Sequence, residues 1–446
     1  MYFGPSISVG RRGVSYGDSD AQAFIAATGL TGTTEVNAVN NLVANLKSYG
    51  LWSKMKAIYP FVSDTNNLLS YTSDYSNAYW TKTAITLTQN VGTAPDGTNT
   101  ANKITETAVS SGHWLKTAST LTAGLTYTVS GYFKAAERQY AVLIDDDAGV
   151  HTAYFNLSTG TLVSQSGYTS TSITSVGNGW YRCSATRNAA TVVSNYYWAT
   201  SSNGSTYNYL GDGTSGIFTW GFQFEQGALT TYQPIATTPA NRFVSQFKYN
   251  LKDARDLDAA FRLAFNGGWT YSKQGAKANG TSAYANTYYN TSVNSITNSN
   301  SIGFYANIAN TSALSDPSSM GNVRISDLNG STMTASGTSI STRLNNAPIA
   351  GTISGATGLF TATRQSATVT KLFKNATQIA TGNSGGVPIN ETVFIANSNI
   401  AGSPYAAGYV NNQFTFAHMS DGLSDSEVSN LYTSVQAFQT ALNRQI

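Results

Sequence analysis

The densest acidic cluster in the chain is Asp145-Asp146-Asp147, and it raises the question of a metal ion. Calcium gathers about six to eight oxygens, usually carboxylates alternating with carbonyls, so a structural calcium would draw on Asp145 and Asp147. Three consecutive Asp residues cannot all aim at one point, however, and AVLIDDDAGV also reads as a strand running into a turn. No Asp-x-Asp-x-Asp-Gly loop occurs elsewhere in the sequence. Both readings of the cluster stay open at this point, and no other cofactor is implied.

Catalysis finds less to work with. Glycoside hydrolysis needs two carboxyl groups facing each other across the scissile bond. Alternation places Glu225 on the face of its strand opposite an aromatic stripe, toward solvent or a ligand, while Glu106 and Glu137 have no evident partner. His113, His151 and His418 are scattered without metal-ligand spacing, and no Gly-x-Ser-x-Gly elbow precedes a helix. The expectation is a protein that is not an enzyme.

Sugar binding asks for something different, namely exposed aromatic faces to stack on pyranose rings and amide or carboxylate partners for hydroxyls. The candidates are Trp114, Tyr132, Tyr140, Tyr197 and Trp198, with Glu225 as a polar partner. Tyr196-Tyr197-Trp198 must place at least one ring on each face of its strand, so an exposed ring is expected there first. His113-Trp114, at a turn-to-strand edge, comes next. The alternative for each is a framework aromatic of the core.

The elements that position these residues follow from composition and period. Charged residues make up 11% of the 446, against an average of about 25%, while 27 Tyr and 40 Gly stand among abundant Thr, Ser and Asn. Neutral polar positions over a β-branched and aromatic interior suit extensive antiparallel sheet, and the length calls for two or three domains. The net charge of +3 is spread along the chain without a basic block, which argues against a nucleic-acid footprint. Cys183 is the only cysteine, so no intrachain disulfide can form, and its strand context reads as a small buried hydrophobe. No apolar run approaches the roughly 18 residues of a membrane span. MYFGPSISVGRRGVSYG lacks the apolar core of a signal peptide, so synthesis in the cytoplasm is expected.

Residues 1–17 read as an extended arm, either a disordered tail or a peptide that docks on a neighbouring protein. Residues 18–64 read as helical. Asp18, Ser19 and Asp20 cap AQAFIAAT, which Gly29 stops; Thr34 caps a second helix carrying Val36, Val39, Val43 and Leu46. LWSKMKAIYPF is expected to add a short helix with Trp52, Met55 and Ile58 on one face. Residues 65–238 switch to period two. Phe218, Trp220, Phe222 and Phe224 alternate with polar residues and are expected on one buried face. YTVSGYFKA, QYAVLI, TAYFNL, WYRCSAT and YYWAT are further strands of a sandwich. In residues 239–446 a helix is expected first, with LDAAFRLAF placing Leu257, Phe261 and Phe265 at four-residue spacing. A second β region and a terminal helix follow. The terminal helix opens on the capping box Ser424–Glu427 and carries the stripe Val428, Leu431, Val435, Phe438 and Leu442. The helix-flanked ends of 65–238 suggest a module inserted into a parent unit.

Asn67-Leu68-Leu69, Trp80-Thr81-Lys82, Pro95-Asp96-Gly97-Thr98, Trp180-Tyr181-Arg182 and Trp220-Gly221-Phe222-Gln223-Phe224-Glu225 carry a family resemblance. In this order they resemble the jelly-roll carbohydrate-binding modules found as accessory domains in glycan-degrading enzymes and bacteriophage fibers. The remainder resembles C-terminal regions of phage structural proteins, in which a laminin-G-like, lectin-type sandwich precedes a terminal helix. Asn279-Gly280-Thr281-Ser282-Ala283-Tyr284 would fit its opening strand. The fold class expected is mainly β: two antiparallel sandwiches, jelly-roll then laminin-G-like, with a small N-terminal helical element and a C-terminal helix. The resemblance implies a bacteriophage virion surface protein, a head or tail fiber subunit. It would be anchored to other virion proteins through its arm, homo-oligomeric and most readily trimeric, and engaged with host or environmental glycans. Neither nucleic acid nor membrane insertion is implied. Two alternatives stand beside it: a purely structural capsid, collar or tail component that binds only protein, and a virion-borne glycan hydrolase. Virion depolymerases are more often long β-helices, whose sequence repeat is missing here.

Overall fold

A computed structural model of the chain describes residues 17–446 apart from Ile325, Asp327, Leu328, Asn346, Ala347 and Ser384. The arm expected over 1–17 therefore lies, except for Gly17, outside the described residues. The chain divides into two compact units: the described parts of Met1–Asp64 with Phe243–Ile446, and Thr65–Arg242. Each is mainly β, with almost entirely antiparallel sheets.

The first unit begins with helix α1 (Ser19–Thr28), capped by the Asp18 side chain and closed by Gly29 at φ +64°. Helix α2 (Thr33–Ser48) starts before the expected Thr34, with Gly32 at its N-cap and no side-chain cap of its own. The anion comes instead from Asp64, whose Oδ2 accepts from the N–H of Thr31 at 2.7 Å and of Gly32 at 3.0 Å. A carboxylate held at the helix N-terminus also interacts favourably with the helix dipole.

LWSKMKAIYPF is not a helix. It forms strand β1 (Met55–Tyr59), antiparallel to Gln413–Ser420. Ala57 and Tyr59 enter the sandwich core, while Met55 and Ile58 lie in the layer under the helices. A strand buried on both faces shows no alternation, so its apolar spacing imitates a helix. Tyr59, preceding Pro60, is in any case biased toward extended backbone. The helix expected at the start of 239–446 forms at Pro239–Phe247, but LDAAFRLAF departs from expectation: Asp258–Ala260 is a single 3-10 turn closed by Phe261 at φ +59°, and Phe265 lies in the strand Ala264–Asn266. Phe261 and Phe265 are drawn to the sandwich core, and Leu257 is left 51% exposed. The segment Asn279–Ser282 is a turn, with Asn279 Oδ1 accepting from the N–H of Thr281, Ser282 and Ala283; the strand begins only at Tyr284.

Among the described residues, this unit has an eight-stranded and a nine-stranded sheet. Phe304, Phe360, Phe414, Met320, Met333 and Tyr289 pack between them. On the outer face of the eight-stranded sheet, Leu42, Val43 and Leu46 of α2 meet Leu431, Val435 and Phe438 of the terminal helix Asp425–Ala441. That helix carries the Ser424–Glu427 capping box and seals its own unit.

The second unit runs through β2 (Thr81–Thr83), β3 (Ile85–Gly92), β4 (Ala101–Glu106), β5 (Ser110–Gly112), β6 (Trp114–Thr120), β7 (Thr126–Ala135) and β8 (Tyr140–Asp145). It continues through β9 (His151–Asn156), β10 (Thr161–Ser166), β11 (Ser170–Gly177), β12 (Trp180–Asn188), β13 (Val193–Ser201), β14 (Asn208–Leu210) and β15 (Gly216–Gln226). One six-stranded sheet has the order β10-β9-β8-β13-β6-β2, the other β11-β12-β7-β15-β4-β3. Trp80, Phe133, Leu143, Phe155, Trp198 and Phe222 fill the space between, with Cys183 a free, buried thiol beside them.

The four aromatics of β15 do not share a face. The ladder between β15 and β7 shifts register between Trp220 and Gln223, and Gly221 sits there at φ +60°. This bulge moves the side-chain alternation by one residue. Before it, Ile217 points into the core and Phe218 and Trp220 point out; after it, Phe222 and Phe224 point in.

Candidate functional site

The expected sugar-stacking residues scatter. Trp198 is fully buried, stacked on Phe222 at 4.7 Å and 13°, and its Nε1 donates to the Ser130 carbonyl at 3.0 Å. This corrects the expectation of an exposed Trp198: in Tyr196-Tyr197-Trp198, Tyr196 and Trp198 face the core and Tyr197 faces out. Tyr197 and Trp114 pack edge-on at 5.0 Å, both half-buried, and the Tyr197 hydroxyl donates to Asp146 Oδ2 at 2.9 Å. Tyr140 is half-buried at the start of β8. Glu225 is also corrected. It lies on the face opposite Phe224, as alternation places it, but is 1% exposed because the segment after the strand folds over it: it accepts from Gln223 Nε2 at 2.7 Å and from the Thr230 N–H at 3.0 Å.

The aspartate run spends its carboxylates on pinning loops. Asp145 Oδ1 lies 2.9 Å from Arg187 Nη1, and Asp147 Oδ2 lies 3.2 Å from Arg187 Nη2. Asp147 also accepts from the N–H of Ala190 and Thr191 and from the Thr191 hydroxyl. Burial pushes the Asp147 carboxyl upward, but these donors and Arg187 outweigh it and hold the group below the usual range. Asp146 points elsewhere, to Asn195 and Tyr197. A guanidinium bridges Asp145 and Asp147 where a cation would have to sit, so the residues do not fit a calcium. Among the described residues, no group of three His, Cys, Asp or Glu side chains is placed to hold a metal.

The aromatic residues that do gather lie on the outer face of the second sheet. Tyr132, Trp180, Phe218, Trp220 and Tyr232 form one cluster with Ala94 and Ala101. Trp220 lies 5.1 Å from Tyr132 and 4.7 Å from Tyr232, both edge-on. Trp220 and Tyr232 are each half-buried, and beside them opens a groove of about 320 Å³ walled by Thr72, Ser73, Asp96, Thr100, Asn102 and Pro234.

The groove is held by its own hydrogen bonds. Trp220 Nε1 donates to Thr100 Oγ1 at 3.0 Å, and the Tyr232 hydroxyl donates to Thr72 Oγ1 at 3.1 Å. Burial pushes the Tyr232 hydroxyl up to about 12, so it stays a donor. Asp96 Oδ1 accepts from the N–H and hydroxyl of Thr98, which shapes the β3–β4 loop. Behind Tyr132, the Arg182 guanidinium stacks 5.2 Å from the ring centre. Rings fixed at set angles, with hydroxyl, amide and carboxylate groups around the opening, are the equipment that sugar recognition requires.

Of the sequence candidates only Tyr132 reaches this cluster. Alternation alone puts Trp220 on a buried stripe, and no motif or period marks Tyr232, Asp96, Thr100 and Asn102 as site residues. A signal for Trp220 was present: glycine inside a strand pattern marks a bulge, and Gly221 interrupts the aromatic alternation.

The chain is thus a mainly β protein of two sandwich-bearing units with an aromatic groove on an outer sheet face. No protein-family model and no curated protein sequence matches it. Several solved structures overlap it in part. One is a receptor binding domain (14% identity, 40% of this chain and 47% of that one, TM-score 0.31). Another is the binding domain of botulinum neurotoxin serotype D (12% identity, 39% and 47%, TM-score 0.28). A third is the enzymatically active domain of bacteriophage CBA120 tailspike protein 4 (14% identity, 36% and 21%, TM-score 0.23). The chain spans less than half the length of each of these structures. Overlaps this partial say nothing of what the chain does.

Proposed function

We propose that this chain is a bacteriophage virion appendage subunit, of a head or tail fiber, that adheres to glycans through the Trp220 groove. The observation that carries the adhesive part is the half-exposed Trp220–Tyr232 pair with polar side chains around it. The virion part rests on the motif resemblance of residues 65–238 and on the neutral, Thr-, Ser- and Asn-rich composition. The protein is proposed as non-catalytic: among the described residues the groove is lined by one carboxyl, Asp96, where glycosidic hydrolysis uses two. Weak single-site contacts become useful in a homo-oligomer such as a trimer, since avidity can exceed single-site affinity by roughly 10²–10⁴.

A glycan array probed with the full chain tests the adhesive reading. Wild type should retain a set of glycans that Trp220→Ala, still cooperatively folded, loses. Identical profiles for the two proteins would sink it. Antibody labelling of intact phage particles, viewed by electron microscopy, tests the rest. Label should decorate an external appendage; particles that bind no antibody would contradict the virion assignment.

A further inference from the structure

We propose that the ligand of this groove is a glycan bearing carboxylates, and that one of those carboxylates meets Arg182. The inference rests on the reading of the groove as a sugar site and adds the ligand's charge.

Register across the sheet sets the geometry. Arg182 of β12 is paired with Tyr132 of β7, and Tyr132 is paired with Trp220 of β15. Paired residues on neighbouring strands point to the same face, so the three side chains form one row on the outer face. The contacts agree: Arg182 lies over Tyr132 and Tyr132 lies edge-on to Trp220. The next row on the same face is Trp180, Lys134 and Phe218. Neighbouring strands are about 4.8 Å apart, which puts Arg182 roughly 10 Å from Trp220. A disaccharide covers that span, so a sugar at the Trp220 groove has a neighbour within reach of the guanidinium.

Arg182 is unusually short of partners. Its Nη2 donates one long bond, 3.3 Å, to Ser130 Oγ, and its Nε is buried with no hydrogen-bond partner among the described residues. It joins no ion pair among those residues, and neither does Lys134, whereas Lys103 is neutralised by Glu137 at 2.8 Å. The acids nearby are already engaged. Asp96 Oδ1 is held by Thr98, and Glu225 is held by Gln223 and Thr230. The Nε is out of a ligand's reach, but the terminal nitrogens carry only the long bond to Ser130, so an anion at the outer face meets donors that are not committed to a carboxylate. The planar guanidinium fork matches a carboxylate through two parallel N–H···O bonds, which singles out sugar acids among charged glycans. Aromatic rings and a guanidinium in one row therefore read a sugar face and an acid group together.

The test uses the full chain on an array of neutral, carboxylate-bearing and sulfated glycans, with the methyl ester of each acidic hit as its uncharged twin. Carboxylate-bearing glycans should be retained, their esters should bind about tenfold more weakly, and the signal should fall as salt is raised. Arg182→Gln should lower acidic binding about tenfold, well beyond any loss of neutral binding; Arg182→Lys, which keeps the charge but loses the fork, should fall between. The ester comparison needs no variant and stands even where Arg182→Gln fails to fold. Equal binding of acids and esters, or sulfated glycans bound as tightly as carboxylated ones, would overturn the inference while leaving the groove a sugar site. Retention of no glycan of any charge would overturn the groove reading and the inference together.

Discussion

The indole of Trp220 meets the phenol of Tyr232 edge-on, 4.7 Å between centroids and 65° between planes, on the outside of a sheet whose inside is fully packed. The arrangement depends on one residue of backbone. Without the bulge at Gly221, Trp220 would share a face with Phe222 and Phe224 and point into the core. The groove is thus a product of a register shift, and the glycine that permits the shift is as necessary to it as the rings.

Gly221 gives the first prediction. At φ +60° it occupies backbone that costs a side-chain-bearing residue about 1–2 kcal/mol, and a Cβ there would stand 2.9 Å from Tyr132 Cδ2. Gly221→Val should destabilise the second unit by at least that amount and weaken glycan retention together with it. Denaturant unfolding and an array on the same preparation check both. Unchanged stability and unchanged binding would show that the bulge does not shape the groove.

Trp198→Ala should behave in the opposite way to Trp220→Ala. Trp198 fills the core between the two sheets, and removing a buried tryptophan costs about 3–5 kcal/mol. The loss should appear as a lowered denaturant midpoint, while whatever protein remains folded keeps its glycan profile. Specific loss of binding at full stability would mean that Trp198 reaches the ligand after all.

Arg187 neutralises two buried carboxylates at once. Arg187→Met would leave Asp145 buried without its cation, and breaking such a pair costs about 3–5 kcal/mol. Because the guanidinium sits where an ion would, adding a chelator should leave the wild-type melting temperature unchanged. A drop in melting temperature on chelation, restored by calcium, would contradict this account of the cluster.

His418 sets a pH dependence in the first unit. It is fully buried in the strand Gln413–Ser420, neither ring nitrogen has a partner among the described residues, and burial lowers its pKa from 6.5 to about 3. The unfolded chain binds a proton near pH 6.5 that the folded chain refuses. The neutral ring's contribution is therefore complete above pH 6.5 and is lost progressively as pH falls toward 3, by up to about 1.4 kcal/mol per pH unit. His418→Leu should flatten the acid side of the stability curve over that window, read as melting temperature against pH. Parallel curves for the two proteins would show that His418 does not carry it.

Much of the fold was readable because its signals are local. Asp18 and Gly29 punctuate α1, Ser424 and Glu427 open the terminal helix, and the strands around Tyr132, Leu143 and Trp180 alternate or carry β-branched and aromatic residues. The failures share a different cause. Met55–Tyr59 is buried on one face by the sandwich core and on the other by the helical layer, and it pairs with a strand more than 350 residues away, so its spacing carries no period that a half-buried strand would show. Phe261 and Phe265 follow a sheet edge rather than a helix face. The site was less legible than the fold. Tyr132 is legible, whereas the sequence around Trp198 does not show which way parity on β13 turns it, and it turns inward. Trp220 follows an alternation that Gly221 breaks, whereas Glu225 keeps its outward face and is covered by the Thr230 loop, which no period reveals. Tyr232 and Asp96 reach the groove from loops, where no period exists to place them.

The central claim is that Trp220 and Tyr232 floor a sugar site, and a crystal structure of the full chain with an array-selected oligosaccharide tests it most directly. The account predicts a sugar ring against the Trp220 indole, with Asp96, Thr100 or Asn102 within hydrogen-bond distance of its hydroxyls. An oligosaccharide seated elsewhere, such as on Trp114 and Tyr197 or on the sandwich of the first unit, with the Trp220 groove untouched, would contradict it.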